Sequence, residues 1–163
     1  FGASVYGPEA ARQVIETVPI QALQAPVSLL DRRMQISGML DRAREAGVAV
    51  FARSAFLQGA LLMDPARLPA HLSDLGPARA ALDRLAAELG LTLHALALAG
   101  VRDLRGITSV VVGVERADQL APHVEAMATP RLPDDALDEI ARIADGLPGA
   151  LIDPSRWPRV ERT

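Results

Sequence analysis

The chain has 163 residues, half of them apolar, with a formal charge of -3 and a pI near 5.6. That is enough chain to bury one respectable core, its arginines are scattered among acids rather than gathered against a nucleic-acid backbone, and no segment approaches the length of a membrane span. Cysteine is absent and the three histidines, His71, His94 and His123, stand far apart, which excludes disulfides and thiol chemistry and argues against a metal site.

Phe1-Gly2-Ala3-Ser4-Val5-Tyr6 reads as the end of a strand entering a turn, and a start at Phe1 is what the middle of a larger protein would show. The N-terminus lacks the charged and apolar regions of a signal peptide, so the cytoplasm is the expected compartment. Residues 8–16 carry proline and acid in a first turn with apolar positions at helical spacing, and 20–25 read as a short strand. A helix over 38–46 stops at Gly47, where a left-handed residue is needed, and 48–52 form a strand. From 77 to 89, Ala81, Leu82, Leu85 and Leu89 oppose Arg79, Asp83, Arg84 and Glu88, an amphipathic helix closed by Gly90. Thr92 caps a second, mostly apolar helix over 93–99.

Residues 107–112 are apolar and β-branched at nearly every position, which suits a parallel strand covered on both faces. The run ends at Gly113, where backbone can approach a ligand, and the amides opening the next helix, from 117 to about 128, would face an anion such as a phosphate. A last helix spans 133–145 before Gly146. Strands near 1–5, 20–25, 48–53 and 107–112 alternate with helices, so the chain is α/β with a parallel sheet. Either an open four-stranded sheet or half of an eight-stranded barrel fits, and in a barrel the long loops 26–37 and 53–76 build the ligand face.

Four segments, taken in order, carry a family resemblance. They are Gly2-Ala3-Ser4, Gln24 to Arg33, Gly47 to Leu61 and Val110 to Leu120, and their most telling parts are Ala25-Pro26-Val27-Ser28-Leu29-Leu30-Asp31-Arg32-Arg33, then Val48-Ala49-Val50-Phe51-Ala52-Arg53-Ser54-Ala55-Phe56-Leu57-Gln58-Gly59-Ala60-Leu61, and last Val112-Gly113-Val114-Glu115-Arg116-Ala117-Asp118-Gln119-Leu120. Together they resemble the C-terminal half of the aldo-keto reductases, over nearly the whole chain. The resemblance implies the C-terminal half of a (β/α)8 TIM-type barrel over 1–146, about four parallel strands with helices outside, followed by a C-terminal tail over 147–163.

The family reduces aldehydes and ketones with NADPH, while a tyrosine helped by lysine, histidine and aspartate protonates the developing alkoxide. The resemblance places all four in the half that precedes these segments, so no catalytic residue is expected here. All seventeen basic residues are arginine, so a lysine-dependent constellation cannot be held by this chain alone. Tyr6 is its only tyrosine, at a position with no catalytic role in the family.

What the matching half implies is cofactor binding. Ser4 and Gln24 fall where the family hydrogen-bonds the nicotinamide carboxamide. Arg53 falls where an aromatic ring often faces the nicotinamide, and a guanidinium plane can also stack on a flat ring. Ser54, Phe56 and Gln58 fall in the loop over the pyrophosphate. Gly113, Val114, Glu115 and Arg116, with Gln119 and His123, match the turn and helix at the adenosine end. Val5 and Ser28 replace asparagines common in the family, and Pro122-His123 replaces a Glu-Asn pair. The implied cofactor is NADP or NAD, with NADP favoured by the family; Glu115 would repel a 2′-phosphate but can accept hydrogen bonds from a free ribose.

The expected function is therefore the cofactor-binding half of an NAD(P)H-dependent oxidoreductase acting on a small aldehyde, ketone or sugar-like carbonyl, with no metal. A non-catalytic binding or assembly module is the alternative, and an unrelated nucleotide-binding α/β domain a third reading. A half barrel leaves two strand edges unpaired, so the expected partner is a missing N-terminal half or a second copy, with neither nucleic acid nor membrane. Plainer readings stand beside these. Asp31-Arg32-Arg33 reads as a loop salt bridge, and His71 and His94 as ordinary residues. The tail either closes the ligand face or wraps the barrel wall, Trp157 favouring the wrap.

Overall fold

Proline at the first helical position and the Gly47 stop both do what the sequence asks of them. Helix α1 (Pro8–Thr17) opens on Pro8, and α3 (Met39–Glu45) ends before Gly47, whose φ of +69° only glycine adopts freely. The computed structural model describes residues 1–158. Strands β1 (Gly2–Ser4), β2 (Ala22–Pro26), β3 (Ala49–Arg53) and β4 (Ser109–Val110) form one parallel sheet in the order β1-β2-β3-β4. Spatial order equals chain order, as stepwise closure of a barrel requires.

Ser4 pairs with Gln24 in register, and Pro26 with Arg53, so the C-terminal ends of the strands line up along one rim. Burial alternates along the strands. Leu23, Ala25, Val50 and Ala52 are fully buried, whereas Gln24, Phe51 and Arg53 are half-buried. The buried set packs with Ala11 of α1, Leu40 and Ala43 of α3, and Leu98 and Val101 of α5 (Leu93–Arg102). A second cluster joins α4 (Gly76–Glu88), the other side of α5, and Ile140 of α7 (Asp134–Ala144). Helix α5 is buried on most of its surface because it belongs to both, and its start is capped as expected: Thr92 Oγ1 accepts from the Ala95 amide at 3.1 Å.

The strand expected over 107–112 is shorter and wetter than its composition implied. Only Ser109–Val110 is regular strand, Ser109 is exposed and Val111 keeps 39% of its surface. The reason is position: β4 pairs with β3 on one side and, among the described residues, with no strand on the other. Gly106 leads into it with φ +94°, and a Cβ there would lie 2.7 Å from the Leu40 carbonyl oxygen. The run starting at Ala117 likewise opens as a single 3-10 turn before α6 (Leu120–Met127).

The two long loops hold short helices that the sequence did not announce: α2 (Arg33–Ile36) in the first, and 3-10 turns at Pro65–Arg67 and Ala70–Leu75 in the second. The Asp31-Arg33 pairing is present and reaches further than a loop contact. Arg33 donates through Nε and Nη2 to both oxygens of buried Asp31, each at 2.8 Å, and through Nη1 to Asp153 at 2.7 Å. Asp153 follows α8 (Gly149–Ile152), whose Leu151 and Ile152 are buried in the second cluster. Burial works to raise the Asp153 carboxyl, but hydrogen bonds from Ser155 and Arg33 outweigh it and hold it below the usual carboxylate range. The segment expected as a tail is thus tied to the loop after β2; Arg159 to Thr163 lie outside the described residues.

Candidate functional site

At the rim where the strands end, the loop after β3 and the turn after β4 face each other across a cleft of about 590 Å3. Of the residues expected at a ligand, Arg53, Ser54, Phe56, Gln58, Gly113, Glu115 and Gln119 line it. Arg53 ends β3, the next three belong to the loop that follows it, and the last three come from the β4 turn, more than fifty residues on. Gly113 fits a surface open to close approach, since beyond its own chain neighbours no protein atom lies within 4 Å of where its Cβ would be.

The β3 loop is held in unusual backbone geometry. Ser54, Leu57 and Gln58 have φ of +62°, +50° and +56°, the non-glycine residues of positive φ among those described. Such conformations cost on the order of 1–3 kcal/mol each and persist where packing enforces them. Here Leu57, 1% exposed, is the anchor, and its burial turns Ser54 and Gln58 toward the rim.

Arg53 does not lie free over the cleft. Its guanidinium carbon stands 4.7 Å above the centre of the Tyr6 ring, Nη2 donates to the Val5 carbonyl at 3.1 Å, and Nη1 reaches Ser54 Oγ at 3.4 Å. Ser4 and Gln24 meet each other on adjacent strands, Ser4 Oγ donating to Gln24 Oε1 at 3.2 Å, outside the lining of the main cleft.

Just before the helix whose opening amides were expected to face an anion, two turn amides already have an acceptor. Gln119 Oε1 takes the Glu115 amide at 2.8 Å and the Arg116 amide at 3.1 Å, because the 3-10 turn at Ala117–Gln119 swings that side chain back over the turn. Val114 is 43% exposed and Arg116 is exposed in an ion pair with Asp118; neither lines the cleft.

His123 lies against a second histidine. Its Nδ1 lies 2.8 Å from Nε2 of His94, and the two rings stack with Phe56 at centroid distances of 4.9, 5.0 and 5.7 Å. Burial pushes the His94 imidazole below its ordinary value, and the neighbouring His123 ring adds to that shift. His94 was therefore missed as a neighbour of the site, and nothing in the sequence could have placed it there, since α5 and α6 bring the two rings together only in the fold. Tyr6 and Trp157 were missed for the same reason. With Arg53 they line a second cavity, of about 370 Å3, beside the cleft. Among the described residues no group of three or more metal-ligating side chains converges.

A family model described as the aldo/keto reductase family matches residues 1–145. The L-glyceraldehyde 3-phosphate reductase of Escherichia coli O157:H7 is 28% identical over an alignment of 171 residues, which takes in 89% of this chain and 49% of that protein. Its namesake from Escherichia coli strain K12 is 27% identical, with the same coverage of 89% and 49%. Among solved structures, the aldo-keto reductase AKR11C1 from Bacillus halodurans in its holo form superposes with a TM-score of 0.74 at 24% identity, over 96% of this chain and 52% of that one. The glycerol dehydrogenase AKR11B4 from Gluconobacter oxydans does so with a TM-score of 0.69 at 20% identity, over 99% and 51%. The chain spans about half the length of the curated relatives it matches.

Proposed function

This chain belongs to the aldo/keto reductase family, and on that premise we propose that it is the cofactor-binding half of a nicotinamide-dependent oxidoreductase that reduces a small aldehyde, ketone or sugar-like carbonyl. The observation that carries the proposal is the cleft shared by the β3 loop and the β4 turn, because seven of the residues implied by the family resemblance converge on it from distant parts of the chain. Its volume, its glycine wall and its polar lining fit a nicotinamide dinucleotide.

Each residue has work of its own in this reading. Ser4 and Gln24 orient a carboxamide from the rim of β1 and β2, and Arg53 presents a flat cation beside it. Ser54 and Gln58 supply polar contacts to a pyrophosphate, and Phe56 with His123 offers ring faces to a base. Gln119 holds the turn carrying Gly113, Val114, Glu115 and Arg116 in shape. Glu115 in the lining disfavours a phosphorylated ribose, so NAD competes with NADP for this site despite the family's preference for NADP. When bound, the cofactor supplies the hydride. In this reading the proton donor lies outside this chain, whose one tyrosine, Tyr6, falls where the family has no catalytic role and which has no lysine to assist it.

The sheet edges at β1 and β4, and an apolar stripe on α6 with Leu120 53%, Val124 61% and Met127 37% exposed, fit pairing with an N-terminal half or a second copy in the cytoplasm. A stable, well-folded monomer in a sedimentation run would refute that pairing. Among the described residues no single helix is long and apolar enough to cross a membrane. The relatives' names specify an aldehyde of three carbons, within the substrate class proposed.

Titration with NADPH and with NADH, followed by emission of the reduced nicotinamide, tests the cofactor reading. Saturable binding that weakens in Gln58→Ala and in Gly113→Val is expected. No response to either cofactor at millimolar concentration would refute it and leave the non-catalytic module.

A further inference from the structure

We infer that the cavity between Tyr6, Arg53 and Trp157 is a substrate pocket that selects a small carbonyl compound carrying an oxyanion, a phosphate or a carboxylate, with Arg53 as the residue that binds the charge. The inference rests on the cofactor reading above for the identity of the neighbouring cleft, and goes beyond it in naming the substrate's charge.

Arg53 lines both spaces, the cofactor cleft and this cavity of about 370 Å3. A guanidinium carries five N–H donors in a planar fork. Two of Arg53's are engaged, by the Val5 carbonyl and the Ser54 hydroxyl, and among the described residues it makes no ion pair with a carboxylate. The Tyr6 ring beneath it fixes the plane without consuming a donor. A half-buried arginine so held, with donors to spare and no ion pair among the described residues, is ready to receive an oxyanion with little further ordering.

The one carboxylate in the cavity lining, Asp153, is already neutralised. It accepts from Arg33 Nη1 at 2.7 Å and from Ser155 Oγ at 2.6 Å, and Arg156 Nε lies 3.6 Å away. Arg33 and Arg156 balance Asp31 and Asp153, so neither of these carboxylates is spent on Arg53. The opposite wall is Trp157, anchored by Nε1 donating to the Ala150 carbonyl at 3.1 Å, which gives the carbon chain of a small ligand an apolar face. The C-terminal segment thus closes this cavity at the same time as it packs on the core.

Trp157 is the chain's only tryptophan and sits in the pocket wall, so its fluorescence reports occupancy directly. The probes are glycerol 3-phosphate, glycerate and uncharged glycerol at constant ionic strength, each with and without saturating NADPH. The expected result is saturable binding of glycerol 3-phosphate, of glycerate, or of both, retained when NADPH is present, with no response to glycerol. Which anion binds more tightly distinguishes a phosphate from a carboxylate substrate. Affinity falls at least tenfold in Arg53→Gln and is partly kept in Arg53→Lys. Ser155→Glu, which adds a negative charge away from the cofactor cleft, weakens the anion while leaving NADPH affinity unchanged, and serves if the Arg53 variants fold poorly. Equal responses to glycerol and the anions, loss of the anion on adding NADPH, or unchanged affinity in both Arg53→Gln and Ser155→Glu would overturn the proposal. Anion binding without NADPH binding would instead sink the cofactor reading alone.

Discussion

Replacing Arg33 by methionine removes the cation that joins the loop after β2 to the C-terminal segment, and its cost can be worked from the contacts. Arg33→Met strips two hydrogen bonds from Asp31, whose side chain is 2% exposed, and one from Asp153, whose side chain is 10% exposed. Removing one partner of a buried pair costs about 3–5 kcal/mol, because the remaining charge keeps its desolvation penalty without its compensation. The guanidinium is itself 25% exposed, so water can partly replace it, and the lower end of that range, about 3 kcal/mol, applies here. For a domain of this size that lowers the thermal midpoint by about 6–12 °C, taking about 2–4 °C per kcal/mol. Circular dichroism melts and urea titrations measure it. The double variant Arg33→Met with Asp31→Leu is expected to recover part of the loss, since the more deeply buried of the two orphaned carboxylates is then gone while Asp153 keeps Arg156 within 3.6 Å. A single variant that melts within about 2 °C of the parent would refute the view that this network fastens the segment.

Two further outcomes rest on single residues elsewhere in the fold. Since burial and His123 hold the His94 imidazole below its ordinary value, the unfolded chain protonates first, so stability present above the ordinary imidazole range is lost as pH falls below it. His94→Phe keeps a ring in the stack and is expected to flatten the urea midpoint between about pH 7 and pH 5; an unchanged slope would count against the shift. Gly106→Ala combines a φ of +94° with a Cβ at 2.7 Å from the Leu40 carbonyl oxygen, backbone that cannot swing aside. It is expected to cost more than about 2 kcal/mol by urea unfolding, and a loss under about 0.5 kcal/mol would show that the β4 lead-in relaxes freely.

Local rules carried the sequence reading a long way where they had neighbours to act on. The helix starts at Pro8 and Thr92 and the stop at Gly47 depend on contacts within one turn, and all three are in place. The alternation of strands and helices led to the parallel sheet, because βα units admit few other arrangements. Ordered motifs from Ser4 to Gln119 carried the family, and with it much of the cleft lining.

What lies beyond a few residues of separation had to come from the fold. Composition made 107–112 look like a strand covered on both faces; its place at the sheet edge exposes it. The stack of Phe56, His94 and His123 joins a loop and two helices. The fastening of Asp153 by Arg33 spans 120 positions, and the arginine's local neighbour Asp31 explains only half of it. Arg53 is the clearest case. Residue order alone put a cation at the end of β3, whereas the packing around it holds that cation flat on Tyr6, commits Asp153 to other arginines, and opens its free donors onto two spaces at once. Charge and propensity are properties of a residue, whereas compensation and exposure are properties of what packs around it.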